Sequence, residues 1–203
     1  RILKKDGYLD REYWPSGRHN GRENRHSHRQ FSGRNYHQLL RARPNRTDDL
    51  VRHLMKEKRL PCLYFAFGRK RAEELAWEQE KFDFLSPEEK SLVAETYDRL
   101  CEKFDLKSEP SAIDMRRLVE RGVAFHHAGM LPTLKEVIEQ LFTSKLIKFI
   151  FTTETFALGI NMPAKTVVFD ELRKFYGTHF ANLRTRDFFQ MAGRAGRRGM
   201  DSC

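Results

Sequence analysis

The sequence predicts an α/β domain in which a parallel β-sheet is flanked by helices, preceded by a basic segment of irregular composition. After residue 46, short apolar runs alternate with segments of helical period, which is typical of βαβ units. Residues 1–46 carry twelve Lys or Arg against four Asp or Glu and few aliphatic side chains. Such a composition cannot bury a core of its own. We therefore predict a basic linker or insertion over 1–46 and one domain over 47–203.

Four apolar runs are predicted to be the strands of this sheet. Each is short enough for a strand and is separated from the next by a segment of helical character, so the strands are expected to run parallel. The runs are CLYFAF at 62–67, GVAFHH at 122–127, LIKFIFTT at 146–153 and TVVFDE at 166–171.

The segments between these runs carry helix signals. SPEEKSLVAETYDRLCEKF at 86–104 begins with a serine cap, a proline in the first turn and two acids near the positive end of the helix dipole. The segment after Pro132 repeats apolar residues at helical spacing, which predicts one face packed on the sheet. The helices are predicted over 48–58, 70–80, 86–104 and 111–121, from Pro132 onward, and from Arg184 to the glycines that follow.

The composition indicates a soluble, cytoplasmic protein. No run of 18 apolar residues occurs and the first residues form no hydrophobic signal core, so neither a membrane span nor secretion is predicted. The three cysteines lie far apart without a Cys-x-x-Cys pair, and the histidines of 1–46 have no acid or cysteine at ligand spacing. We expect no metal site in this chain.

The net charge of +10 is concentrated in two places. Most of the surplus lies in residues 1–46. A second surplus lies between Arg184 and Arg198, where five arginines face the single acid Asp187. Both stretches could meet nucleic-acid or nucleotide phosphates.

The strongest motif is QMAGRAGRRG at 190–199. If this segment is helical, Arg194 and Arg197 share one face, and the glycines let a ligand or another domain approach the backbone. Two guanidinium groups form a clamp suited to a triphosphate. A solvent-facing basic helix end would account for the charge but not for Gln190 and three glycines at fixed spacing.

Three further segments place polar or flexible residues where predicted strands end. Thr153 follows the third run, in FTTETFALGINMPAKTVVF at 151–169, and ligands bind parallel sheets at such strand ends. Gly68 and Arg69 follow the first run and open a helix, whose N-terminus with basic neighbours suits an anion. Gly129 lies in the glycine turn after the second run. An ordinary strand-to-helix turn is the alternative for each.

These segments resemble three motifs of the superkiller-type (superfamily 2, DExH-box) helicases over roughly residues 60–201. The first run with Gly68 and Arg69 is similar to motif IV, the segment 151–169 to motif V, and the segment from Gln190 to motif VI. The resemblance implies a second RecA-like domain of a motor whose cofactor is ATP and whose first RecA-like domain is its partner. It assigns to the nucleotide Gly159, Asn161, Gln190, Arg194 and Arg197. It assigns to single-stranded nucleic acid Gly68, Arg69, Gly129 and Thr153. Gln190, Arg194 and Arg197 would take part in catalysis, with Arg197 as the arginine finger.

Two features have a second interpretation. Val167 to Glu171 has the form of a Mg²⁺-binding Walker strand, but it follows motif V directly, where the family has a plain sheet strand, so Asp170 is expected to bind no metal. His126 could approach nucleic acid or be packed at the strand end. No G-x-x-x-x-G-K-[ST] phosphate loop occurs in the sequence. We expect Mg²⁺ to be bound by the first motor domain, and this chain alone to be inactive.

Four functions compete. The leading one is the second motor domain of an ATP-dependent helicase, with RNA favoured over DNA because NMPAKTVVF and AGRAGRRG resemble the RNA-processing branch. A DNA-repair helicase of the same superfamily is the nearest alternative. The others are a non-catalytic nucleic-acid-binding or interaction module, against which the arginine pair argues, and an unrelated phosphate-binding enzyme.

Overall fold

The computed structural model describes residues 47–154 and 164–195. The chain divides into two compact units, 1–53 and 54–203, and the fold below is that of the second unit. Helix α1, Thr47–Lys56, crosses the division. The predicted boundary after residue 46 stays a prediction, and the basic 1–46 segment lies outside the described residues.

Among the described residues, four parallel strands form the main sheet, in the order β2–β3–β1–β4. Each is two to four residues shorter than the apolar run that predicted it, because residues at the ends of the runs belong to the turns that enter or leave the sheet. The strands are β1 Cys62–Phe65, β2 Val123–His126, β3 Phe149–Thr152 and β4 Thr166–Phe169. The predicted parallel α/β fold is confirmed.

Helices flank this sheet. After α1, the helices of the described residues are α2 Arg69–Glu78, α3 Pro87–Lys103, α4 Pro110–Val119, α5 Pro132–Thr143 and α6 Thr185–Ala192. Helix α3 begins with the predicted serine cap: Ser86 Oγ accepts a hydrogen bond from the Glu89 amide, and the Glu89 carboxylate accepts one from the Ser86 amide. None of these helices is long and apolar enough to cross a membrane.

The core is centred on the two middle strands, β1 and β3, in which every residue is buried. The Tyr64 and Phe149 rings lie 5.1 Å and 4.9 Å from that of Phe151, centroid to centroid. The predicted apolar stripe of α5 is buried as well. A sheet covered on both faces explains why the strand sequences are continuously apolar and do not alternate.

Between β4 and α6 along the chain, a short antiparallel hairpin forms a second sheet. Its strands are β5 Arg173–Phe175 and β6 Phe180–Asn182. Gly177 has φ +90° in its turn, a conformation that favours glycine. The sequence analysis missed this hairpin. Each strand has only three residues, and exposed residues flank the half-buried Lys174 and Ala181, so the pattern has too few apolar positions to stand out.

Candidate nucleic-acid and nucleotide site

The carboxyl ends of β1, β2 and β3 lie along one edge of the sheet, because the strands are parallel. The turns that follow them surround a pocket of about 210 Å³, which we call the edge pocket. Its lining residues are Phe67, Gly68, Arg69, Ala128, Thr153, Glu154, Lys174 and Phe175. The structure thus brings together three of the four residues predicted to contact nucleic acid. The fourth, Gly129, is next to Ala128 and so close to Arg69 that an added Cβ would lie 3.3 Å from Arg69 Cδ.

The start of helix α2 is rich in positive charge. Gly68 caps the helix without a side-chain hydrogen bond, and the first turn contains no acid. Cations are unfavourable at the positive end of a helix dipole, and the first amides of a helix lack intrahelical acceptors. Arg71 is neutralised by Asp170, with Nε to Oδ2 at 3.0 Å, whereas within residues 47–154 and 164–195 Arg69 forms no ion pair with an acid. This combination suits an anionic ligand.

The turn that contains Gly129 is held by the buried ring of His127. Its Nδ1 accepts a hydrogen bond from the Gly129 amide at 3.1 Å, so its Nε2 carries the proton and donates to Glu73 Oε1 at 2.7 Å. The ring also stacks on Phe125, with centroids 5.6 Å apart. Since Glu73 belongs to α2, one imidazole connects the Gly129 turn to the helix whose first residue, Arg69, lines the edge pocket.

His126 is packed at the strand end. Its Nε2 lies 2.7 Å from Glu139 Oε1 in helix α5, and only 7% of its side chain is exposed. Burial, aided by the charge of Lys135, lowers the pKa of His126 to about 3. Burial also raises the pKa of Glu139. His126 is therefore neutral at physiological pH and donates to Glu139, and it faces the interior, where it lies out of reach of a nucleic acid.

The two threonines that end β3 differ in their surroundings. The Thr152 hydroxyl is fully buried and donates to the His126 carbonyl at 2.8 Å, which ties β3 to β2. The Thr153 amide bonds to the same carbonyl at 3.3 Å, while its half-buried side chain lines the edge pocket. Of the two threonines, Thr153 is thus the one that lines the edge pocket.

Asp170, at the end of β4, is occupied within the domain. Its carboxylate accepts hydrogen bonds from the Tyr64 hydroxyl at 2.8 Å and from Arg71 Nε at 3.0 Å. The bond to Asp170 raises the pKa of Arg71 against the opposing effect of burial. Asp170 therefore fastens β4 to β1 and α2.

Motif VI begins on helix α6, which ends at Ala192 and is capped by Gly193, the first of the glycines at which it was predicted to end. Arg194 therefore lies in the turn that follows the helix, and its placement relative to Arg197 stays a prediction. The chain turns there because the Arg194 carbonyl accepts a hydrogen bond from the Ala164 amide at 3.1 Å, and Ala164 pairs with Ala195. This pairing joins the end of motif V to motif VI.

The last turn of α6 buries Met191 and presents Phe189 and Gln190 outward. Gln190 is exposed, and Phe189 is 66% exposed although it is a large aromatic residue. Arg194 is half-buried. The other residues predicted at the nucleotide, Gly159, Asn161 and Arg197, lie outside the described residues.

The chain matches the family model of the helicase conserved C-terminal domain over residues 45–199. It belongs to this family. It is 43% identical over 160 residues to the human Exosome RNA helicase MTR4, which covers 78% of this chain and 15% of that protein. It is 44% identical over 158 residues to the Antiviral helicase SKI2 of Saccharomyces cerevisiae, covering 76% of the chain and 12% of the relative.

A plant relative, the DExH-box ATP-dependent RNA helicase DExH9 of Arabidopsis thaliana, is 44% identical over 156 residues, 75% of this chain and 16% of its own length. The predicted resemblance to superkiller-type helicases and their second RecA-like domain is confirmed. The chain spans about 12 to 16% of the length of these curated relatives.

The helicase domain contains site residues that the sequence analysis missed. Lys174 and Phe175 of the hairpin line the edge pocket, as does Glu154. Phe175 is 54% exposed and packs against Phe180, with ring centroids 5.2 Å apart. The one available signal was RKFYGTHF at 173–180, in which aromatic residues flank a glycine turn.

Proposed function

We propose that this chain is the second motor domain of an ATP-dependent RNA helicase and that its edge pocket holds the backbone of a single RNA strand. The observation that carries the proposal is the convergence of Gly68, Arg69 and Thr153 on one pocket. These residues are far apart in the sequence, and a cation, a hydroxyl and glycine turns are groups that bind phosphates without reading sequence. The printed names of the relatives, which are RNA helicases, favour RNA over DNA.

The second part of the proposal is half of an ATP site. Gln190 can donate from its amide, and Arg194 and Arg197 carry guanidinium groups that suit phosphate oxygens. Gly159 and Asn161 would approach the nucleotide from motif V. When bound with Mg²⁺, ATP supplies the phosphoryl group, and Arg197 would stabilise the charge that develops on it. The phosphate loop and the Mg²⁺ ligands would belong to the first RecA-like domain.

The exposed end of α6 supports a partner domain at this position. A phenylalanine that is 66% exposed next to an exposed glutamine is typical of a surface that another protein surface covers, since aromatic residues are enriched in interfaces. The first RecA-like domain would cover Phe189 and Gln190 and complete the nucleotide site.

ATPase assays on two proteins test this function. The purified 203-residue chain should hydrolyse no ATP with or without single-stranded RNA, whereas a longer protein that includes the phosphate-loop domain should hydrolyse ATP faster when RNA is added. Robust turnover by the chain alone, abolished in Arg197→Ala, would contradict the half-site. A longer protein with no RNA-stimulated activity would favour the non-catalytic module.

Fluorescence anisotropy with labelled single strands tests the nucleic acid. We expect the chain to bind RNA weakly and in a salt-dependent way, because backbone contacts dominate. Tighter binding to DNA of the same sequence, together with DNA-stimulated ATPase activity in the longer protein, would favour the DNA-repair alternative.

A further inference from the structure

Lys174 is the most enclosed charged side chain of the edge pocket. Only 11% of it is exposed, although it lies on a hairpin whose other residues in β5 are exposed. Its ammonium group forms an ion pair with Glu154, the residue that follows Thr153 at the end of β3. Both partners line the edge pocket. The ion pair with Glu154 thus places Lys174 where the RNA strand would bind.

The same ammonium group also contacts the helix that leads to motif VI. Lys174 Nζ lies 3.4 Å from Asp187 Oδ2, in the first turn of α6. Asp187 is three residues before Gln190, about one helical turn. Lys174 is therefore ion-paired at the same time to the start of motif V and to the helix that carries motif VI.

Tyr176 holds this arrangement in place. Lys174 Nζ lies 4.5 Å from the centroid of the Tyr176 ring, and the Arg184 guanidinium lies 4.7 Å from the same ring. The Tyr176 hydroxyl donates to Asp187 Oδ2 at 3.2 Å and accepts from the Arg184 amide at 3.0 Å. The hairpin is thereby fastened to the start of α6, so a displacement of Lys174 would be passed to that helix.

The ammonium group is kept charged by its partners. Burial alone would lower the pKa of Lys174, but the hydrogen bonds and charges of Glu154 and Asp187 outweigh it and raise the pKa. An enclosed cation shared by two carboxylates is sensitive to a third anion, because a phosphate near Glu154 would change the balance between the two ion pairs.

We infer that Lys174 is a positioning residue that couples RNA binding in the edge pocket to helix α6 and motif VI, through its ion pairs with Glu154 and Asp187. This role deepens the proposed function and rests on it. A phosphate bound beside Thr153 would attract Lys174 and repel Glu154, and the altered pull on Asp187 would shift α6 and the side chains at its end. RNA would in this way change the rate of ATP hydrolysis without contacting motif VI.

The test uses the longer enzyme that includes the first motor domain, with the ratio of the RNA-saturated ATPase rate to the basal rate as its readout. Lys174→Met should reduce this ratio about tenfold, a size typical of coupling between two sites. Lys174→Arg should restore most of it. The matched control is Lys148→Met, which removes another half-buried lysine–glutamate pair, Lys148 Nζ to Glu89 Oε1 at 2.5 Å, outside the edge pocket. It should lower the melting temperature and leave the ratio unchanged.

Asp187→Asn separates coupling from contact with RNA, since Asp187 does not line the edge pocket. It should lower the ratio while the anisotropy Kd for single-stranded RNA stays within about twofold of wild type. The double variant Lys174→Met/Asp187→Asn should be no less coupled than Lys174→Met alone, because both changes interrupt one connection.

Each other outcome overturns the inference. A wild-type ratio well above one that is equally high in Lys174→Met removes the coupling role and leaves the proposed function intact. A weaker Kd for RNA with an unchanged ratio at saturation would make Lys174 an RNA contact only. A fall in the ratio for Lys148→Met as large as that for Lys174→Met would reduce the effect to stability. A wild-type enzyme that RNA does not stimulate contradicts the proposed function itself.

Discussion

The edge pocket and the end of helix α6 are built in opposite ways. The residues around the pocket are held by bonds within the domain: His127 connects the Gly129 turn to α2, and Thr153 is fixed to the β2 strand end. At the end of α6, Gln190 and Phe189 are exposed. The difference indicates that the pocket is formed by this domain alone, and it supports our proposal that the first RecA-like domain covers Phe189 and Gln190.

The contrast also separates two kinds of functional effect. Changes at the preformed pocket should act on RNA affinity, and they should be measurable in the isolated domain. Changes at motif VI should act on the rate of the chemical step, and only when the other half of the ATP site is present.

The largest effect is expected at the arginine finger. Arg197→Ala in the longer enzyme should lower kcat for ATP by about 10³ with a much smaller change in KM, because the charge of Arg197 would be needed mostly while the phosphoryl group is in transit. Arg197→Lys should stay impaired, since an ammonium cannot reproduce the planar guanidinium fork. Arg198→Ala is the neighbouring control, and steady-state kinetics that found Arg198 the more damaging position would move the finger by one residue.

A second prediction concerns the effect of acid pH on the stability of the domain, through His126 at the end of β2. The pKa of His126 falls from the ordinary 6.5 to about 3 on folding because the ring is buried. The unfolded chain therefore binds a proton below pH 6.5 that the folded chain does not, so stability is lost progressively as pH falls from 6.5 toward 3. Between pH 7 and pH 5 this group should lower the free energy of unfolding by about 2 kcal/mol.

Urea unfolding of wild type and His126→Gln at the two pH values checks this. Gln retains a donor for Glu139 and does not titrate, and the neighbouring Glu139, Lys135 and His127 are the same in both proteins. The pH dependence of the variant should be smaller by the contribution of His126. Equal pH dependence in the two proteins would mean that His126 is protonated in the folded state.

The main sheet could be predicted from the sequence, whereas contacts between residues far apart in the chain could not. The main sheet was predictable because continuous apolar runs separated by helical segments have few other solutions, and convergence at the carboxyl edge follows from parallel strands. The role of His127 was not predictable, since its partners, Glu73 and Gly129, are brought to it by the fold. Lys174 was missed because a lysine in a three-residue strand gives no sign that two carboxylates enclose it.

A third prediction tests whether the Gly129 turn is preformed. His127→Gln can still donate to Glu73 but loses the acceptor for the Gly129 amide, and His127→Asn retains an acceptor near the Nδ1 position and loses the donor. If the anchored turn contacts RNA, His127→Gln should weaken binding by the isolated domain about fivefold, the value of one hydrogen bond. His127→Asn should bind nearly as well as wild type in the same anisotropy assay. The opposite order would make the link to α2 the important one.

The smallest effect is expected for a single phosphate contact at the start of α2. Arg69 lines the edge pocket and, among the described residues, forms no ion pair. Its guanidinium group can therefore form an ion pair with an RNA phosphate. Arg69→Ala should weaken RNA binding about threefold at moderate salt, and it should make the slope of log affinity against log salt shallower by about 0.7, the share of one phosphate on a single strand.

Lys70 is the matched control, because it is in the same helical turn, is 90% exposed and lies 3.8 Å from Glu74. Lys70→Ala removes the same charge from the same helix end but not from the pocket, so it should change the affinity less and leave the slope nearly unaltered. Equal changes in slope for the two variants would mean that the helix end attracts RNA by its general charge and that the edge pocket holds no phosphate at Arg69.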